Sequence, residues 1–124
     1  MKKIVLSRLA HTWLIDIDGT LFKHNSHKSG ADELLPGVKE FWNSIPKDDI
    51  IVLLTARGEF DQVNTEEALS IHGLRFDHIL FSLPTGERIL INDTKPSGLT
   101  TSVALNISRD EGLSNLHIEI DNNL

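Results

Sequence analysis

Two aspartates one residue apart, Asp16 and Asp18, followed at once by Gly19 and Thr20, are the strongest chemical signal in the chain. A carboxylate at the end of a strand can act as a nucleophile or as a ligand to a hard metal ion. A side chain two residues later reaches the same substrate once the chain turns, and Gly19 permits both the turn and a close backbone approach. The amides around such a turn can bind phosphate oxygens. From average residue usage this string arises by chance in a chain of this size on the order of one time in a thousand. Its plain reading is an Asp/Gly turn that closes a strand.

Two further positions offer chemistry of the same kind. Thr55 follows the apolar run Ile50 to Leu54. Its hydroxyl suits a phosphoryl oxygen, as does the Ala56 amide at the start of a helix. Read plainly, Thr55 is an N-cap or turn residue, the commoner use of Thr at such a place. Asp93, within Asn92-Asp93-Thr94-Lys95-Pro96, is a candidate magnesium ligand, because magnesium takes one or two carboxylates and keeps several waters. Its plain reading is a second strand-ending turn.

The elements around these residues predict how they are positioned. Thr12 to Ile15 reads as a short buried strand running into Asp16. Lys23 to Asp32 is polar and reads as a loop carrying His24, Asn25, Ser26, His27, Ser29 and Gly30. Pro36 suits the opening of a helix, with Val38, Phe41, Trp42 and Ile45 on one face and Pro46 at its end. Ile50 to Leu54 is apolar throughout, as in a central parallel strand covered on both faces. A second helix is expected from about Glu59 to His72, with Phe60, Val63 and Ile71 sharing a face and Gly73 at its C-terminal cap. Further strands are expected over 76–81, 88–92 and, less distinctly, 102–107. Segments 4–10 and the C-terminal region are ambiguous. Strands alternating with helices imply an α/β fold, a three-layer α/β/α Rossmann-like sandwich with a central parallel sheet and right-handed crossovers. Ligands bind such sheets at the carboxyl ends of the strands. Asp16 and Asp18, Thr55 and Asp93 each follow a predicted strand, so three segments are expected to converge on one edge.

Composition sets limits on function. The 124 residues argue for one domain spanning 1–124, and 40% hydrophobic with 24% charged residues describe a soluble globular chain. The absence of cysteine excludes a disulfide frame and a thiolate zinc site. Met1 to Leu6 starts like a leader peptide, but Arg8 interrupts the apolar stretch, and no run approaches membrane-spanning length; the expected location is cytoplasmic. A net charge of -6 disfavours nucleic acid and anionic membranes as partners. It leaves an anionic small molecule open, because a bound cation and local amides can reverse the field inside a cleft.

Taken in order, these motifs resemble the haloacid dehalogenase superfamily, over about Trp13 to Gly98. Asp16 to Thr20 matches that family's first motif, Thr55 its second, and Asp93 its fourth. The resemblance implies a single hydrolase domain that cleaves phosphomonoesters with Asp16 as nucleophile, through an aspartyl-phosphate. Asp18 would protonate the leaving group and then activate water. Magnesium would bridge Asp16, Asp93, the Asp18 carbonyl and the phosphate, while Gly19, Thr20, Thr55 and Ala56 would bind the phosphoryl group. The chain departs from the family at two places. No lysine occurs between Lys47 and Lys95, so the third-motif cation falls to Lys95, with Arg88 as second choice. The fourth motif often carries two acids, and here the first is Asn92.

The insertion 21–35 is too short for a helical cap domain, so the chain resembles capless members. These act on large substrates or close their sites with a neighbouring subunit, and a homo-oligomer with the 22–33 loop against its partner is expected. The substrate class implied is a small metabolite such as a sugar phosphate. The alternatives are a polynucleotide or nucleotide end phosphatase, or a catalytically silent binding or regulatory domain. His24 and His27 read as solvated, Trp13 and Trp42 as core, and Arg57 as an exposed helix-start residue. His72, His78 and His117 have no supporting constellation. Arg109 to Gly112 reads as a solvated turn able to fold back towards the site.

Overall fold

The computed structural model describes residues 1–28 and 30–124; Ser29 of the polar loop lies outside the described residues. The strands are β1 (Lys2–Leu6), β2 (Thr12–Asp16), β3 (Ile50–Leu54), β4 (His78–Leu80) and β5 (Leu116–Ile120), and the helices are α1 (Val38–Ser44) and α2 (Gln62–Ile71). Among the described residues the strands pair in parallel and form two sheets, one of order β2-β3-β4 and one joining β1 to β5. The chain is therefore a small α/β fold. The ambiguous segments at the two ends resolve into partners, Lys2 to Leu6 lying beside Leu116 to Ile120.

Register decides what the larger sheet presents. Asp16 stands opposite Leu54, and Leu54 opposite Leu80, so the carboxyl ends of three strands lie abreast. Side chains alternate across a strand. Trp13, Ile15, Ile51, Leu53 and Ile79 point one way and join Val38, Phe41 and Trp42 of α1 and Leu69 of α2 in one core cluster. The opposite face carries Leu14, Ile50 and Leu80 at 49%, 42% and 48% exposure. β3 is central by its pairing, yet only one of its faces is fully covered, which corrects the expectation from its unbroken apolar run.

Both helices form where their patterns place them, with one difference. Val38, Phe41, Trp42 and Ile45 are all buried. Gly37 precedes α1 with φ +76, and a Cβ there would run into the backbone of Ser114, so glycine is required on two counts. Ile45, next to Pro46, is extended and stops the helix. In α2, however, Thr65 and Leu69 are the buried residues, while Phe60, Val63 and Ile71 are 103%, 73% and 73% exposed. The buried stripe is Thr65-Ala68-Leu69, spaced i, i+3, i+4, and the most apolar residues face outward. Gly73 has φ +67, donating to Ser70, while Leu74 donates to Leu69 and closes the helix end.

The strands expected at 88–92 and 102–107 do not form. Chain 92–101 closes on itself instead. The Asn92 side-chain amide donates to Thr101 Oγ1 at 2.7 Å, the Thr101 hydroxyl donates to the Asp93 carbonyl, and the Gly98 and Lys95 amides close a turn. Local side-chain bonds of this kind offer the backbone an alternative to a ladder. Ile89 and Ile91 are left 83% and 89% exposed.

At the amino end of β3, Asp49 is fully buried and holds β2 to β3. It accepts hydrogen bonds from Trp13 Nε1 (2.9 Å) and the His11 amide (3.0 Å), and its Oδ2 lies 2.8 Å from His11 Nδ1. Burial alone would raise this carboxyl. The bonds from Trp13 and His11 and the attraction of the His11 ring outweigh burial, and its pKa lies below the ordinary 3.8. Among the described residues no helix is long and apolar enough to cross a membrane.

Candidate active site

Asp16 ends β2 on the carboxyl edge of the sheet. The chain turns immediately after it: Gly19 adopts φ +82 and donates to the Phe22 carbonyl, and the Leu21 amide returns to Ile17. The turn places Thr20 Oγ1 3.2 Å from Asp16 Oδ2 as a donor. The other Asp16 oxygen accepts from Arg88 Nη1 at 2.9 Å. Both partners of this ion pair are 37% exposed, so water and small solutes reach it. Arg88 is thus the cation brought to Asp16. Lys95 lies in the exposed turn at 95–99, where its backbone bonds Leu99 and Gly98.

Asp18 faces a different cation. Arg57 Nε donates to Asp18 Oδ2 at 3.0 Å, and Nη2 donates to Asp18 Oδ1 at 2.8 Å. The same guanidinium grips Asp32 end-on, Nη1 to Oδ2 at 3.0 Å and Nη2 to Oδ1 at 2.8 Å. Its remaining hydrogen on Nη1 goes to Thr65 Oγ1 at 3.0 Å. A guanidinium has five N–H donors, and all five have partners here. Its carbon lies 5.8 Å from the centroid of the buried Phe22 ring. Side-chain exposure is 2% for Arg57, 4% for Asp32 and 17% for Asp18. Burial would lower the Arg57 pKa, but the hydrogen bonds and charges of Asp18 and Asp32 reverse the effect and raise it, so the group is a permanent cation.

This cluster corrects the sequence reading of Arg57, which is buried rather than exposed. Asp32 and Thr65 carry little signal in the sequence: Asp32 stands beside Glu33 at the end of a polar segment, with no motif around it, and the trace of Thr65 is its place on the stripe with Leu69. His27 is also less solvated than expected. Its side chain is 16% exposed, with Nδ1 3.7 Å from Asp18 Oδ1, and the Nδ1 atoms of His24 and His27 are buried.

Thr55 is buried, and its Oγ1 accepts the Arg57 amide at 3.0 Å, as in a turn, a bond that leaves the hydroxyl hydrogen to donate elsewhere. Its amide donates to Leu80, carrying the chain past the sheet edge. Ala56 is exposed beside it. The 109–112 turn does fold back: the Asp110 amide donates to the Gly19 carbonyl, Asp110 Oδ1 accepts the His24 amide at 2.7 Å, and a Cβ on Gly19 would meet the Arg109 side chain.

Asp93 is exposed in irregular chain. Among the described residues no group of three or more His, Asp or Glu is arranged to hold a metal ion. Asp16 is paired with Arg88 and Asp18 with Arg57, and Asp93 stands apart from both in the exposed 92–101 stretch.

No family model and no curated protein matches the chain. Among solved structures, a chain of the Pnkp1/Rnl/Hen1 complex is similar, with a TM-score of 0.52 and 21% identity. The match covers 66% of this chain and 31% of that one. At this identity the likeness concerns the fold alone, and the present chain spans about a third of its neighbour's length.

Proposed function

We propose that the chain is a phosphomonoester hydrolase of the haloacid dehalogenase type, with Asp16 as nucleophile. One observation carries the reading: a solvent-accessible carboxylate at the carboxyl edge of a parallel sheet, oriented by Thr20 and paired at 2.9 Å with the cation of Arg88 from a distant segment. An anionic phosphate entering there would meet the guanidinium, which offsets its repulsion from Asp16. Asp16 attacks phosphorus in line, the ester P–O bond breaks, and Asp18 gives a proton to the leaving oxygen. Water then attacks the phosphoryl group, Asp18 takes its proton, and inorganic phosphate leaves with the Asp16 carboxylate restored.

The resemblance adds magnesium, a cytoplasmic setting and a small substrate such as a sugar phosphate to this proposal. The three-layer sandwich belongs to it too, the exposed face of the β2-β3-β4 sheet being where its third layer would pack. So does a homo-oligomer that covers the open site; a monomer mass in light scattering at working concentration would remove that part. A second reading, a silent binding domain, draws on the ion pairs that occupy both Asp16 and Asp18.

The test is phosphate release from sugar, nucleotide, oligonucleotide-end and aryl phosphates, with and without magnesium. Turnover abolished in Asp16→Asn supports the nucleophile, and a magnesium requirement supports the cation. Turnover that survives in Asp16→Asn sinks the mechanism. A folded wild type inactive on every ester favours the silent domain.

A further inference from the structure

Arg57 is a costly residue to place where it is. A guanidinium buried to 2% side-chain exposure is tolerated only when its charge and all its donors are answered. Two carboxylates and a hydroxyl from three separate segments do this: Asp18 just past β2, Asp32 from the polar segment, and Thr65 from α2. The backbone anchors Arg57 as well, since its amide bonds Thr55 Oγ1 and its carbonyl accepts the Ser82 amide. Asp32 is braced in turn by the Ser26 hydroxyl at 3.3 Å. The side-on fork of Nε and Nη2 fixes the plane of the Asp18 carboxylate. The end-on fork to Asp32 keeps the guanidinium from swinging away with it.

We infer that Arg57 and Asp32 are positioning residues for Asp18, a clamp that sets the orientation of the acid-base carboxylate relative to Asp16. The inference rests on the phosphatase reading above. Arg57 acts through its bonds to the Asp18 carboxylate, and Asp32 acts only through Arg57. The clamp's loss therefore falls on both proton transfers of Asp18: activation of water is common to every ester, whereas in the first step, which kcat/KM reports, the loss depends on how much the leaving group needs the proton. An alkyl phosphate leaves as a strongly basic alkoxide and requires the acid, whereas a nitrophenyl phosphate leaves readily without it. A residue with only a structural role would slow both esters alike.

The experiment compares kcat and KM of the full chain on an alkyl phosphate and on p-nitrophenyl phosphate for wild type, Asp32→Asn, Arg57→Lys and Thr65→Val, each checked for folding by circular dichroism. General acid-base groups contribute roughly 10²–10⁴-fold, so Asp32→Asn and Arg57→Lys should lower kcat/KM on the alkyl ester by about 30-fold. On the nitrophenyl ester kcat/KM should fall less than about 3-fold, because the water-activation step common to both esters does not enter it. Thr65→Val removes one donor's partner without freeing a charge, and it supplies a folded variant with the same pattern in smaller measure if the others unfold. Placed in an Asp18→Asn background, Asp32→Asn should add nothing on the nitrophenyl ester, because its route of action is already gone. Equal losses of kcat/KM on both esters, or a fully additive loss in that background, would overturn the clamp while leaving the phosphatase reading intact. An inactive wild type, or activity that survives in Asp16→Asn, would overturn both.

Discussion

Two arginines meet the two aspartates of the first motif, and they differ in nearly every physical respect. Arg57 lies in the packed part of the molecule, with five bonds from its guanidinium to three segments. Arg88 reaches Asp16 from an exposed, irregular stretch, through a single bond at 2.9 Å. The buried cation is committed to the protein, while the exposed one retains free donors facing solvent. A charge that holds a side chain still must be walled off and fully satisfied; a charge that receives a ligand must be left partly unsatisfied. On the proposed reading, the same residue type thus serves two purposes according to its surroundings.

Mutation should separate the two regions. The largest effect is expected from Arg57→Ala, which leaves Asp18 and the buried Asp32 unpaired and should cost about 3–5 kcal/mol. Urea unfolding with an unchanged m-value would measure it, and a cost below about 1 kcal/mol would show that the cluster is not held as described.

Next come the core and the stretch that lacks one. Leu53→Ala, at a fully buried position of β3, should cost about 2–5 kcal/mol. Ile91→Ala, at 89% exposure, should stay within about 0.5 kcal/mol. A large penalty at Ile91 would mean that the 84–107 region is packed against something.

Asp49 supplies an intermediate case at the opposite end of the sheet. Its folded pKa is depressed, so the stability it contributes is fully present above the ordinary value of 3.8 and is lost as pH falls through the folded value. Asp49→Asn should lower stability at neutral pH by about 1–3 kcal/mol and flatten the stability curve below pH 4. An unaltered acid limb in the variant would contradict that assignment. Arg88→Gln should change stability by no more than about 1 kcal/mol, as for other solvent-exposed pairs. Its phosphatase activity should nonetheless fall about 100-fold, and retained activity would remove Arg88 from the phosphate site.

How far the molecule could be read from its residues varies by region. α1 was legible because Val38, Phe41, Trp42 and Ile45 keep helical spacing between Pro36 and Pro46, a signal that depends only on local geometry. In α2 the pattern misled: Val63 and Ile71 are exposed, and the buried stripe around Leu69 contains a threonine that serves a charge. The ladder of β1 with β5 could not be found locally, since each strand is recognisable only by its partner across the chain. At the site, Asp16, Asp18 and Thr55 announced themselves by following apolar strands. Arg57 did not, because an arginine after a strand gives no sign of whether two carboxylates wait to bury it.

The sequence by itself determined the alternation of strands and helices, the turn at Gly19, and the presence of a carboxylate at a strand end, all of which are short-range consequences of side-chain shape and spacing. Only the tertiary structure decided which cation each carboxylate meets, that one face of the sheet stays open, and that Asp32 shares a guanidinium with Asp18. Charges find partners through distances in space, and residues as far apart in sequence as 16 and 88 become neighbours only when the fold has been made.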